Sequence, residues 1–126
     1  MILIFGGIYQ GKLSYALDKF NLTEEDVYRC HEEEPASPKG NKIIYELDKW
    51  LLALTRESID AGEALKSFID DNKNAIVIVN DISCGVVPVD ETQRKWREAV
   101  GRSLSELSRI SEETIRLFCG IPTKIK

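Results

Sequence analysis

Residues 2–5 and 75–79 are apolar without interruption and rich in β-branched side chains. A strand with one wet face alternates apolar and polar residues, whereas a short continuous run suits a strand buried on both faces of a parallel sheet. Three further apolar runs of strand length lie at 27–30, 42–45 and 114–119. Helical spacing fills the gaps between them. Leu13, Ala16, Leu17 and Phe20 recur at i, i+3, i+4 and i+7, as do Leu47, Trp50, Leu51 and Leu54, so each set makes one apolar helix face. Residues 58–71, with Ile59, Leu65 and Ile69, continue the second helical segment, across a break if one is present. Asp90 with Gln93 three residues later resembles a capping box. It opens a last helix with the stripe Trp96, Ala99, Val100, Leu104 and Leu107, expected to end near Ile110. Strands alternating with helices predict an α/β fold with a mainly parallel sheet of about five strands and right-handed crossovers.

The 126 residues suit one domain over 1–126, and 43% hydrophobic with 30% charged residues is ordinary for a packed globular chain. With 17 basic and 21 acidic residues and a net charge of −4, no nucleic-acid partner is expected. Cys30, Cys84 and Cys119 are widely spaced and form no CxxC pair, so they read as small apolar core residues in a reducing compartment. The apolar start at 1–5 meets glycine at once and has no basic residues before it, fitting neither a signal peptide nor a membrane span. A cytoplasmic protein with no membrane partner is the expectation.

Directly after the first strand run comes Gly6-Gly7-Ile8-Tyr9-Gln10-Gly11-Lys12-Leu13-Ser14, which matches G-x-x-x-x-G-K but carries Leu13 where a P-loop has Ser or Thr. Glycines let the backbone turn so that successive N–H groups point at phosphate oxygens, and the following helix N-terminus adds positive potential. The motif makes the fold a P-loop NTPase-like three-layer sandwich. It also makes Gly6, Gly7, Ile8, Tyr9, Gln10, Gly11, Lys12 and Leu13 the candidate binding residues for GTP or ATP, with Lys12 across the β- and γ-phosphates. Leucine cannot supply the hydroxyl that ligates Mg²⁺, and Ser14, turned about 100° along the helix, points away from the loop. The competing reading is a glycine-rich strand-to-helix turn with a solvent-exposed lysine.

Further along, Val79-Asn80-Asp81-Ile82-Ser83-Cys84-Gly85-Val86-Val87-Pro88 matches S-N-E-V-G-x-G-I-V-P, and Arg94, Trp96, Arg97, Gly101 and Arg102 match R-x-F-R-x-x-x-G-R with Trp for Phe. Gly120, Pro122 and Lys126 match a closing G-x-P-x-x-x-K, and Gly6, Gly7, Gly11 and Lys12 fit G-G-x-x-S-G-K-S. In these segments the chain resembles the bifunctional adenosylcobinamide kinase and adenosylcobinamide-phosphate guanylyltransferase family of cobalamin biosynthesis. The resemblance implies nucleotide binding, phosphoryl transfer to a corrinoid alcohol, a corrinoid partner and a homo-oligomer. It also implies a H-R-x-x-R-P-x-x-W segment whose histidine takes the guanylyl group, and this chain has no such segment. Its one histidine, His31, precedes Glu32-Glu33-Glu34, carboxylates that repel a nucleotide, so His31 reads as a surface residue at a strand end. The family's D-C-L-T-L-W, whose aspartate helps hold the metal, aligns with Tyr45-Glu46-Leu47-Asp48-Lys49-Trp50; tyrosine stands in place of that aspartate while Glu46 and Asp48 lie close by. Two supports for Mg²⁺ are thus absent, and no metal ligand is assigned.

Asp81 follows the apolar run at 75–79, at the carboxyl end of a strand, where ligands bind in open α/β sheets. There it would act with Lys12 in catalysis, assisting a metal or orienting a hydroxyl, or else cap a turn. Gly85 and Pro88 shape the loop after it. Arg94, Arg97 and Arg102 near Glu91 and Glu98 read as a salt-bridged helix face, and Trp50 and Trp96 as core or subunit interface. Residues 32–41, with Pro35, Pro38 and Gly40, read as a surface connection open to movement. Two functions follow from these residues: a nucleotide-dependent kinase of the corrinoid family, or a non-catalytic nucleotide- or corrinoid-binding regulatory module derived from it.

Overall fold

Strand β4 (Ile76–Asn80) is buried at every position, as its unbroken apolar run requires. It pairs in parallel with β1 (Ile2–Gly6) and β3 (Ile43–Tyr45), which occupy the centre of the sheet with it. The computed structural model describes residues 1–82 and 90–126; Cys84, Gly85 and Pro88 lie outside the described residues. Beyond β3 lies β2 (Val27–Arg29), and beyond β1 lies β5 (Glu113–Phe118), both parallel to their neighbours. A final strand, β6 (Ile121–Lys124), pairs antiparallel with β5 and closes a six-stranded sheet of order β2-β3-β4-β1-β5-β6.

Helices cover both faces. α1 (Lys12–Phe20) sets Ala16, with Leu13, Leu17 and Phe20, against Ile4, Ile43, Ile78 and Ile115. The opposite face carries α2 (Leu47–Arg56), α3 (Ala61–Asp71) and α4 (Glu91–Ile110), whose Trp50, Leu51, Phe68, Val100 and Leu107 close over Leu3, Ile44, Val77 and Val79. Adjacent residues of a strand point to opposite faces, so Leu3 and Ile4 feed different cores. The result is the three-layer α/β sandwich expected from the alternation. Asp90 caps α4 by accepting the Thr92 N–H at 2.8 Å, and Asp60 caps α3 by accepting that of Gly62 at 2.9 Å. The segment after α2 breaks at residues 57–60, where Ser58 has a φ of 56°, so the stretch at 58–71 starts a separate helix. Among the described residues no helix is long and apolar enough to cross a membrane.

Three expectations are corrected. The sheet gains a sixth strand because Cys119 (φ 50°) and Gly120 (φ 75°) form a two-residue turn with both residues left-handed, the geometry that folds a strand back on its neighbour. Pro122 is accommodated in β6 because an edge strand tolerates proline. The same turn exposes Cys119, which is therefore no core residue, whereas Cys30 is buried. The connection at 32–41 is tied down: the Trp50 indole N–H donates to the Pro35 carbonyl at 3.0 Å and the Asn72 side-chain amide to that of Pro38 at 2.9 Å. Trp50 also packs on Phe68 with ring centroids 5.4 Å apart, so its role is in the core.

The end of β1 is the tightest point. A Cβ on Gly6 would lie 2.3 Å from the Leu117 carbonyl oxygen, a backbone atom that cannot swing aside. At Gly7 the nearest atom would be 3.7 Å away. Gly6→Ala is therefore expected to destabilise the protein by about 2–3 kcal/mol, an overpacking cost, while Gly7→Ala changes the denaturant midpoint little. Chemical denaturation of both variants checks this.

Candidate functional site

The carboxyl ends of β1, β3 and β4 meet at one corner of the sheet. Gly6 stands in register with Asn80, and the Asp81 N–H donates to the Gly6 carbonyl at 2.8 Å, joining the glycine loop to the end of β4. The loop leaves β1 over Gly7, Ile8, Tyr9 and Gln10 and turns into α1 at Gly11, whose φ of 79° places the helix N-cap in the left-handed region. Tyr9, at φ 64°, is 99% exposed, and the Gln10 side-chain oxygen accepts the Cys119 N–H, pinning the loop to the β5–β6 turn. No side chain caps the first turn of α1 and no acidic residue lies in it. Its backbone N–H groups and positive dipole end thus face the loop with no acid of their own turn beside them, an arrangement suited to an anion.

Lys12 is only 4% exposed, and its ammonium donates to the Gly7 carbonyl at 2.5 Å. The lysine therefore lies beneath the loop, and the reading of it as a solvent-exposed side chain is corrected. Burial pulls its pKa below the usual lysine value, and the nearby Asp48 and Glu46 oppose that shift. Ser14 is exposed, as the helical rotation predicts, and Leu13 is packed on the apolar side of α1.

The carboxylates that act on Lys12 come from the start of α2. Glu46, the helix N-cap, adopts a left-handed φ of 59°, uncommon for a residue with a side chain. Its Oε1 pairs with the Lys49 ammonium at 3.2 Å, and its Oε2 accepts from the Asn80 side-chain amide at 3.3 Å. Asp48 is 3% exposed; its Oδ1 accepts the Asn80 backbone N–H at 2.9 Å and its Oδ2 the Asn80 side-chain amide at 3.3 Å. Removal from water raises the Asp48 pKa above the ordinary carboxylate value, and the Asn80 hydrogen bonds offset part of the rise. From the other side, the Trp96 indole donates to the Asp48 carbonyl at 2.8 Å, so α4 braces the same turn of α2.

The structure thus brings together the loop from Gly6 to Leu13, Lys12, the backbone of Asp81, and Glu46 and Asp48, the acids noted in sequence beside the expected metal ligand, and it adds Asn80, which sequence reasoning gave no role here. The available signal was Asp48 itself, an acid set among Leu47, Trp50, Leu51 and Leu54 on a helix whose apolar stripe is buried. Arg94 and Arg102 are exposed, and Arg102 approaches Glu98 at 4.0 Å, as a solvated face would. His31 is exposed. The residues suit a phosphate chain better than a directly held Mg²⁺. Leu13 is committed to the apolar core, Tyr45 carries no carboxylate, and Glu46 and Asp48 are occupied by Asn80 and Lys49.

Asn80→Asp would set a third carboxylate against those of Glu46 and Asp48. It is expected to cost about 3 kcal/mol, more at alkaline than at acidic pH, as thermal unfolding across pH would show. In the wild type the sign follows from Asp48. Its folded pKa lies above the unfolded value near 3.8, so the folded state holds the proton more tightly. This group's contribution to stability falls as pH rises from about 4 through the raised value, then levels off.

A family model described as cobinamide kinase / cobinamide phosphate guanyltransferase matches residues 41–125, from β3 through β6. The matched stretch contains Glu46, Asp48 and Asn80 and begins after the glycine loop. No curated protein matches the chain.

Proposed function

The chain belongs to the cobinamide kinase / cobinamide phosphate guanyltransferase family, and on that premise we propose that it binds the phosphate chain of GTP or ATP on residues 6–13 and transfers a phosphoryl group to a corrinoid alcohol. The observation that carries this reading is the buried Lys12 beneath a glycine loop that opens onto an uncapped helix N-terminus. Phosphoryl transfer needs positioning and charge neutralisation more than covalent help. Lys12 supplies a positive charge to the transferring group, the first-turn N–H groups of α1 hold the non-bridging oxygens, and Asp81 orients the acceptor hydroxyl. Guanylyl transfer through a histidine is not part of the proposal, because His31 sits among glutamates. No step is assigned to a metal held by the protein, since Leu13 and Tyr45 offer it nothing at the positions where the family resemblance expects ligands.

Those same two residues favour a second reading, in which the chain binds nucleotide or corrinoid and regulates a partner without turnover. Calorimetric titration of GTP and ATP into the wild type and Lys12→Ala, followed by a phosphotransfer assay with adenosylcobinamide, separates the two. Micromolar binding, about 8 kcal/mol of affinity, weakened at least about 30-fold by Lys12→Ala and accompanied by phosphorylated corrinoid, is the expected result. Lys12-dependent binding without product would select the regulatory reading. Absence of binding to the wild type overturns both nucleotide readings.

A further inference from the structure

A nucleotide whose phosphates lie on residues 6–13 must carry its base to one side of β1. On one side stands β4, where buried Asn80 and Asp48 fill the corner. On the other stands β5, whose last residue, Phe118, is 60% exposed. Across the β5–β6 turn Phe118 is in register with Ile121, itself 66% exposed, and directly opposed residues of an antiparallel pair share a face. Arg116, two residues back along β5 and so on that same face, holds its guanidinium 5.9 Å from the centre of the Phe118 ring. A hydrogen bond joins this turn to the glycine loop, the Cys119 N–H donating to the Gln10 side-chain oxygen. Beside Gln10 the loop carries two more exposed apolar residues, Ile8 and Tyr9.

We propose that Phe118 and Ile121 form the seat of the nucleotide's purine, with the phenyl ring stacked on the base and Arg116 steadying that ring. The inference rests on the reading of residues 6–13 as a phosphate site and says where the rest of the ligand lies. An exposed phenyl ring next to a phosphate cradle offers a base a flat apolar face, and stacking accepts any base, since each has a π-face. The seat therefore favours a purine nucleotide over a bare phosphate chain and discriminates little between GTP and ATP. A second copy of the chain fits this surface less well. Ile125, also exposed, lies past the far end of β6, where its N–H donates to the Thr114 carbonyl, so the exposed isoleucines do not form one stripe with Phe118. Pro122 and Lys124 also blunt β6 as an edge for strand addition.

The test is calorimetric titration of GTP, ATP and inorganic tripolyphosphate into the full chain, as wild type, Phe118→Ala and Phe118→Trp. Expected is about tenfold weaker binding of both GTP and ATP by Phe118→Ala with tripolyphosphate unchanged, and binding of both nucleotides at least as tight as wild type by Phe118→Trp, whose indole restores the stacking face. Photolabelling of the wild type with 8-azido-ATP gives a reading independent of affinity: peptide mapping by mass spectrometry should place the adduct within residues 116–123. Equal losses for tripolyphosphate and the nucleotides would mean that Phe118 shapes the loop rather than meets the base, and would overturn the proposal. Unchanged nucleotide binding by Phe118→Ala would overturn it too, and sedimentation showing that this variant dissolves a wild-type dimer would assign the surface to a second copy instead. In each of these cases Lys12-dependent binding of tripolyphosphate leaves the phosphate site standing. Failure of the wild type to bind tripolyphosphate and both nucleotides would remove the phosphate site and this proposal with it.

Discussion

A parallel sheet covered by helices on both faces leaves polar backbone and charged side chains few places to go except the strand ends. In this protein β4 is buried along its whole length, and β1 and β3 beside it are nearly so. Chemistry therefore concentrates where those strands stop. At their carboxyl ends the chain must turn into helices, and three such turns, β1 to α1, β3 to α2 and the exit of β4, converge. Gly6 makes the convergence possible, since it lets β1 run against the Leu117 carbonyl where any side chain would collide.

Putting Lys12 and Asp48 into that corner costs free energy that only partners can offset. Asn80 is the central partner. Its backbone N–H and its side-chain amide serve two carboxylates at once, so one residue ties β4 to the start of α2. The Gly7 carbonyl does the same for the Lys12 ammonium, and Trp96 brings α4 down onto the Asp48 carbonyl. A neutral amide in the middle donates to both acids without adding a third carboxylate. The strained left-handed conformation at Glu46 fits this picture, because it places the residue where it can reach both Asn80 and Lys49.

The layered fold was legible because its signals are local. Unbroken apolar runs marked β1 and β4, and the spacing of Leu13, Ala16, Leu17 and Phe20 marked the buried side of α1. The glycine loop was legible for the same reason, its residues being contiguous. What stayed hidden depended on contacts between distant parts. The prolines at 35 and 38 suggested a loose connection, yet their carbonyls are held by Trp50 and Asn72. Ile121–Lys124 became a strand because a left-handed turn at Cys119 and Gly120 folded it onto β5. Asp48 and Asn80 are 32 residues apart, and no spacing rule relates them.

Sequence alone determined the alternation of strands and helices, the helix faces that become core, and the loop with a lysine at its end. These follow from periods of two and about 3.6 residues and from glycine's backbone freedom, properties a chain carries before it folds. Tertiary structure decided that Lys12 is buried rather than solvated and that the charges of Asp48 and Glu46 act on it through space. It also decided that one asparagine holds both acids in place. Electrostatics acts through space and is set by burial, so the charge state of a corner like this one exists only after the strands that build it have come together.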